Sequence, residues 1–109
     1  MEYNFQHKEL AAGRWKKFTF AEQMGNIGSE VSRAIKWRGR EEKYFNNAVD
    51  RALELIDLTI ADRRWRSRLK EILLLREVLC DIVFGEKQYK TDLVDLDKYL
   101  FNFAVLARR

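Results

Sequence analysis

Residues 19–39 read TFAEQMGNIGSEVSRAIKWRG, and this stretch decides the fold. Thr19 followed three residues later by Glu22 has the form of a capping box. The threonine hydroxyl accepts the backbone N–H of the third helical residue, and the glutamate reaches back to the cap. Phe20, Met24, Ile27, Val31, Ala34 and Ile35 then recur at three- and four-residue steps, which makes one apolar face of a helix. Gly39 follows as a left-handed C-cap. A helix that is apolar on one face only must bury that face against others, so its partners are sought outward along the chain.

Three more helical patterns follow. One starts near Glu41 and runs to about Ile60, with Phe45, Ala48, Val49, Ala52, Leu55, Ile56 and Thr59 inward. The next runs from about Arg63 to Phe84 with Trp65, Leu69, Ile72, Leu75, Leu79 and Val83 inward, and Gly85 just beyond. The last opens at Thr91 or Asp92 and carries Leu93, Leu96, Leu100, Phe103, Ala104 and Ala107 inward. Residues 1–18 lack a clean period and read as an arm or a short extra helix. Four helices of similar length on short connections predict an all-α, up-down four-helix bundle over residues 19–109, preceded by that N-terminal arm. The chain has 109 residues, no proline and 35% charged residues, which fits a single helical domain.

The glycines of the opening stretch need a reason. Gly25 and Gly28 each cost about 1 kcal/mol relative to alanine inside a helix. Close approach of a second helix would compensate for that, ahead of access for a ligand.

The predicted helices carry more apolar surface than one bundle stripe uses. Leu74 and Val78 point away from the inner face of the third helix, as do Val94, Phe101 and Val105 on the fourth. Exposed patches of several hundred Å² are usually interfaces, so these five residues are the oligomer-interface candidates. A homodimer or a larger symmetric oligomer is the expected assembly, with twofold symmetry the default. The competing occupant of that face is the N-terminal arm, with Tyr3, Phe5, Leu10 and Trp15.

The formal net charge is +4, which permits contact with nucleic acid or an acidic protein partner without requiring either. An up-down bundle gathers Arg14, Lys16, Lys17, Arg63, Arg64, Arg66, Arg68, Arg108 and Arg109 at one pole. Trp65 lies among them in the run RRWRSR, residues 63–68. These ten are the candidates for phosphate or anion contact, with Trp65 as a stacking surface. The bland alternative has the arginines at the favourable C-terminus of the second helix, with Trp65 turned inward.

Motifs for chemistry are absent. His7 and Cys80 are the only histidine and cysteine, too few for a zinc site of the usual spacing. There are no Glu-x-x-His pairs, no glycine-rich phosphate loop and no nucleophile motif. The sequence therefore calls for no metal, no cofactor and no catalytic residue. Asp50, Glu54 and Asp57 recur at helical spacing on a face expected to meet water. Arg76 falls in the inward register, where a guanidinium must be paired, with Glu30, Glu77 or a carboxylate of a second subunit as partner. Glu30, Arg33, Trp37, Arg76 and Glu77 are accordingly the buried-polar candidates. Structural pairing is the favoured reading, and a pocket for an anionic ligand or a carboxylate–arginine catalytic site is the sharper one.

The N-terminus lacks the basic-then-apolar pattern of a signal peptide, no apolar run approaches a membrane span, and a lone cysteine allows no internal disulfide. A cytoplasmic protein without a membrane segment is expected. The run from Gly13-Arg14-Trp15 through FTFAEQMGNIGSEVSRAIKW, with ALELIDLTIADRRW and LLLREVLCD, resembles a family of small uncharacterised all-helical bacterial proteins. That resemblance implies a compact helical fold and transfers no activity or site. The resulting expectation is a non-catalytic interaction protein that self-associates, with nucleic-acid binding through the basic pole as the alternative.

Overall fold

A computed structural model describes residues 13–85 and 88–109. The described residues form four α-helices: α1 (Phe20–Trp37), α2 (Glu42–Ile60), α3 (Leu69–Phe84) and α4 (Leu93–Ala107). Short 3-10 turns at Arg14–Lys17 and Arg63–Arg68 precede α1 and α3. No strand occurs among the described residues. The chain is all-α, and its helices pack as a bundle.

The opening stretch folds as its residues dictate. Thr19 Oγ1 accepts from the Glu22 backbone N–H at 3.1 Å, and the Thr19 N–H donates to Glu22 Oε1 at 2.8 Å. Gly39 adopts φ 76°, the left-handed conformation that ends a helix without a Cβ clash. Between these ends, Phe20, Met24, Ile27, Val31 and Ala34 are buried. The α1 helix is the spine of the molecule, packing most extensively against α4 and α2, whereas α3 and α4 meet only sparsely.

The two glycines of α1 explain the tightest of these contacts. A Cβ at Gly28 would stand 2.8 Å from Leu100 Cβ, and one at Gly25 would stand 3.2 Å from Ala104 Cα. Backbone approaches backbone here, which only a residue without a side chain allows. Helix propensity lost on α1 is offset by packing on α4.

Two expectations need correction on burial. Val78 was expected outside, yet it is only 8% exposed, because α3 turns its Val78 side toward α4. Glu54 was expected to face water with Asp50 and Asp57, but it is 2% exposed, while Asp50 is exposed and Asp57 half-buried. The apolar stripe of α2 is wider than its Ala48–Val49–Ala52 seam suggested, so it reaches round to Glu54.

The third helix also starts later than its periodicity implied. Arg63–Arg68 is not α-helical, since Trp65 sits at φ −103°, ψ 23° and breaks the run before Leu69. Asp62 causes the interruption by accepting the Arg64 backbone N–H at 3.1 Å, which caps a tight turn. Of the arm, Trp15 is 2% exposed and belongs to the core. Tyr3, Phe5, His7 and Leu10 lie outside the described residues.

Candidate functional site

At the pole where α1 begins and α2 ends, buried polar groups form a clamp. Gln23 on α1 is fully buried. Its Nε2 donates to the Trp15 carbonyl at 2.9 Å and to Asp62 Oδ2 at 3.0 Å. Its Oε1 accepts from Trp65 Nε1 at 3.0 Å. Trp15 Nε1 donates to Thr59 Oγ1 at 3.1 Å, and Thr59 in turn donates to the Leu55 carbonyl. No buried side-chain nitrogen or oxygen among the described residues lacks a partner. A fully satisfied network of this kind fixes one packing, because each lost bond would strand a buried polar atom.

The RRWRSR run closes over this clamp. Arg64 forks onto Asp62 with contacts at 3.1 and 2.8 Å, and its Nη2 also donates to the Phe18 carbonyl at 2.8 Å. Its guanidinium lies 4.5 Å from the Trp65 ring centroid. Arg68 pairs with Glu71 at 2.8 Å and sits 4.1 Å above the Phe20 ring. Hydrogen bonds from the Arg64 side chain, Gln23 and the Arg64 backbone together hold the Asp62 carboxyl down at about pKa 2, against burial, which opposes them. Asp62 in turn raises Arg64 further.

The ten pole candidates therefore divide. Arg64, Trp65 and Arg68 are tied into the fold, and Arg14 also has a partner. Lys16, Lys17, Arg63, Arg66, Arg108 and Arg109 are exposed and make no ion pair among the described residues. The Trp65 ring, with its N–H on Gln23 and its face under Arg64, is not open for base stacking. Gln23, the hub, lies outside the apolar periodicity. The signal that could have found it is its place between Phe20, Met24 and Ile27, with the Trp65 indole needing an acceptor.

The buried-polar candidates do not converge on a pocket. Glu30 is buried but accepts from Arg33 on its own helix at 3.1 Å. Trp37 packs edge-on against Tyr44 with Lys36 5.0 Å from its ring. Glu77 is exposed and engages the Tyr89 hydroxyl, whose pKa it raises. Arg76 is paired as expected, but with a different partner. Its Nε donates to Asp57 Oδ1 at 2.8 Å on α2, in place of Glu30 or Glu77, and its side chain is 41% exposed. That pairing places Arg76 on the α2 flank of α3. No cluster of three or more metal-ligating side chains occurs among the described residues.

The open apolar surface lies on α3 and α4, and it forms two faces. A groove of about 330 Å³ runs between these helices, lined by Leu74, Leu75, Val78, Leu96 and Tyr99 with Glu71 and Asp95 at its rim. Tyr99 donates its hydroxyl to Glu71 across the gap; its pKa is raised well above the usual range, first by burial and then by that carboxylate. The second face is on the far flank of α4. At about 100° per residue, Val94, Phe101 and Val105 fall within about 40° of one another and roughly 120° or more from Tyr99 and Phe103. Phe101 borders a smaller groove of about 190 Å³ with Gly25, Ser29, Ser32 and Ala104 of the α1–α4 junction. Leu74 and Val78 thus belong to one face, and Val94, Phe101 and Val105 to another.

Exposure is high on both: Leu74 50%, Val94 42%, Phe101 60% and Val105 40%. No helix among the described residues is long and apolar enough to cross a membrane. Comparison with protein families, with curated proteins and with solved structures finds no match to this chain.

Proposed function

We propose that the protein is a non-catalytic interaction module that works through the uncovered apolar faces of α3 and α4, and that self-association is its first use of them. One observation carries this reading. Of the eight large hydrophobic residues left exposed among the described residues, seven lie on these two helices: Leu73, Leu74, Phe84, Val94, Phe101, Val105 and Leu106. Scattered apolar residues on a surface need no explanation, but a concentration on adjacent elements does. Trp15, Gln23, Thr59, Asp62, Arg64 and Trp65 are engaged with one another in the clamp. Light scattering on the purified protein tests the proposal: a mass of twice the chain or more supports it, and a monomer at every concentration removes it.

A second reading rests on the six exposed cations at the clamp pole. They suit the phosphates of a nucleic acid or an acidic protein surface. Trp65 is engaged, so contact would be with the backbone, without base stacking. Filter binding across salt concentrations tests this, because phosphate contacts give an affinity that falls steeply as salt rises. No binding at low salt would end that reading.

A further inference from the structure

We infer that the Val94–Phe101–Val105 face of α4 pairs with the same face of a second copy of this chain, the two α4 helices running antiparallel about a twofold axis at Phe101. This inference rests on the self-association proposed above and says which face makes it and in what geometry.

The spacing is that of a helix–helix seam. Val94, Lys98, Phe101, Val105 and Arg108 follow at alternating steps of four and three residues, the pattern by which one helix tracks along another. Phe101, at the middle, is the most exposed of the three apolar members. Beside it, α1 offers Gly25, Ser29 and Ser32 along the same groove. Among the described residues that line this groove, those of α1 are all small, which leaves room beside the seam.

Charge selects the direction. The first half of α4 and its cap carry Asp92, Asp95 and Asp97, and its end carries Arg108 and Arg109. Parallel pairing would set acid on acid, base on base, and aligned macrodipoles side by side. Antiparallel pairing sets each acidic half against the partner's basic end and opposes the dipoles. With Phe101 on the axis, Asp97 lies about 6 Å along the helix and the partner's Arg108 about 10 Å in the same direction. An arginine side chain spans the difference. Neither Asp97 nor Arg108 has another ion-pair partner among the described residues. Lys98 and Arg108, the seam's two cations, lay their methylene stems beside Val105 and Val94 of the partner and keep their charges in water. Two facing helices about 22 Å long give a small, reversible interface, under about 1,200 Å².

Site-directed cross-linking in a Cys80→Ser background tests the geometry. Phe101→Cys brings two thiols together on the axis and is expected to oxidise to a covalent dimer. Val94→Cys alone should not, because its neighbour is Arg108; mixed with Arg108→Cys it should link to that variant. Asp97→Arg and Arg108→Asp should each weaken the dimer about fivefold, and the double variant should recover it. Self-linking of Val94→Cys as readily as Phe101→Cys would overturn the antiparallel arrangement. A wild type that sediments as a dimer, with Phe101→Cys unlinked and Phe101→Glu still dimeric, would overturn the α4 pairing and leave self-association standing through the Leu74 groove. A wild-type monomer at every concentration would remove both.

Discussion

The two ends of the third helix follow opposite rules. Before α3, in the turn from Asp62 to Arg68, buried donors and acceptors are matched and the aromatic rings are covered. Farther along α3 and across α4, leucine, valine and phenylalanine side chains stand in water beside an open groove. A saturated region has nothing left to offer a partner, whereas an unsaturated one gains by being covered. Arg64, Trp65 and Arg68, from the run that looks most like a binding motif, are therefore fastening, and the plain aliphatic residues of α3 and α4 are the candidates for contact.

Substitutions should separate the two regions by what they damage. The largest expected effect is at the clamp. Trp15→Ala removes a buried ring and takes from the Thr59 hydroxyl the donor it accepts from, and should cost about 3–5 kcal/mol in urea unfolding. Gly28→Ala comes next. Helix propensity alone would favour alanine by about 1 kcal/mol, but its Cβ meets Leu100, and overpacking of that kind costs about 1–3 kcal/mol. A net loss of stability is expected; a gain would show that α1 and α4 do not approach closely.

Asp62 gives a pH signature of the same region. Its carboxyl titrates at about 2 in the folded chain against 3.8 in the reference. The sign follows from that depression: the stabilisation is complete above about pH 4 and is lost as pH falls toward 2. It is on the order of 2 kcal/mol. Asp62→Asn should flatten that part of the stability–pH curve. The smallest effect on stability belongs to the outer faces, where Leu74→Glu and Phe101→Glu should change unfolding by no more than about 0.5 kcal/mol while changing association.

Much of the fold could be read in advance because it rests on local rules. The capping box at Thr19, the left-handed Gly39 and the period of α1 each declare themselves within a few residues. Gly25 and Gly28 declared a close approach, though not which helix makes it. Legibility ended where a residue's role depends on something distant in sequence. Gln23 is a polar residue in an amphipathic helix until Trp15, Asp62 and Trp65 arrive around it. Val78 and Arg76 were misplaced together, because the wheel of α3 gives relative angles and leaves open which side α4 occupies. Asp62 interrupts a helical period that the spacing of Trp65 and Leu69 continues, and only its bond to the Arg64 backbone reveals the break.

The difference between the saturated clamp and the unsaturated faces is tested most directly by sedimentation of three proteins side by side from low to high micromolar concentration: wild type, Phe101→Glu and Arg63→Glu. The expected result is a wild type and an Arg63→Glu variant that both shift from monomer toward dimer, with Phe101→Glu held as a folded monomer. Identical monomeric behaviour of all three, or loss of the dimer only in Arg63→Glu, would contradict it.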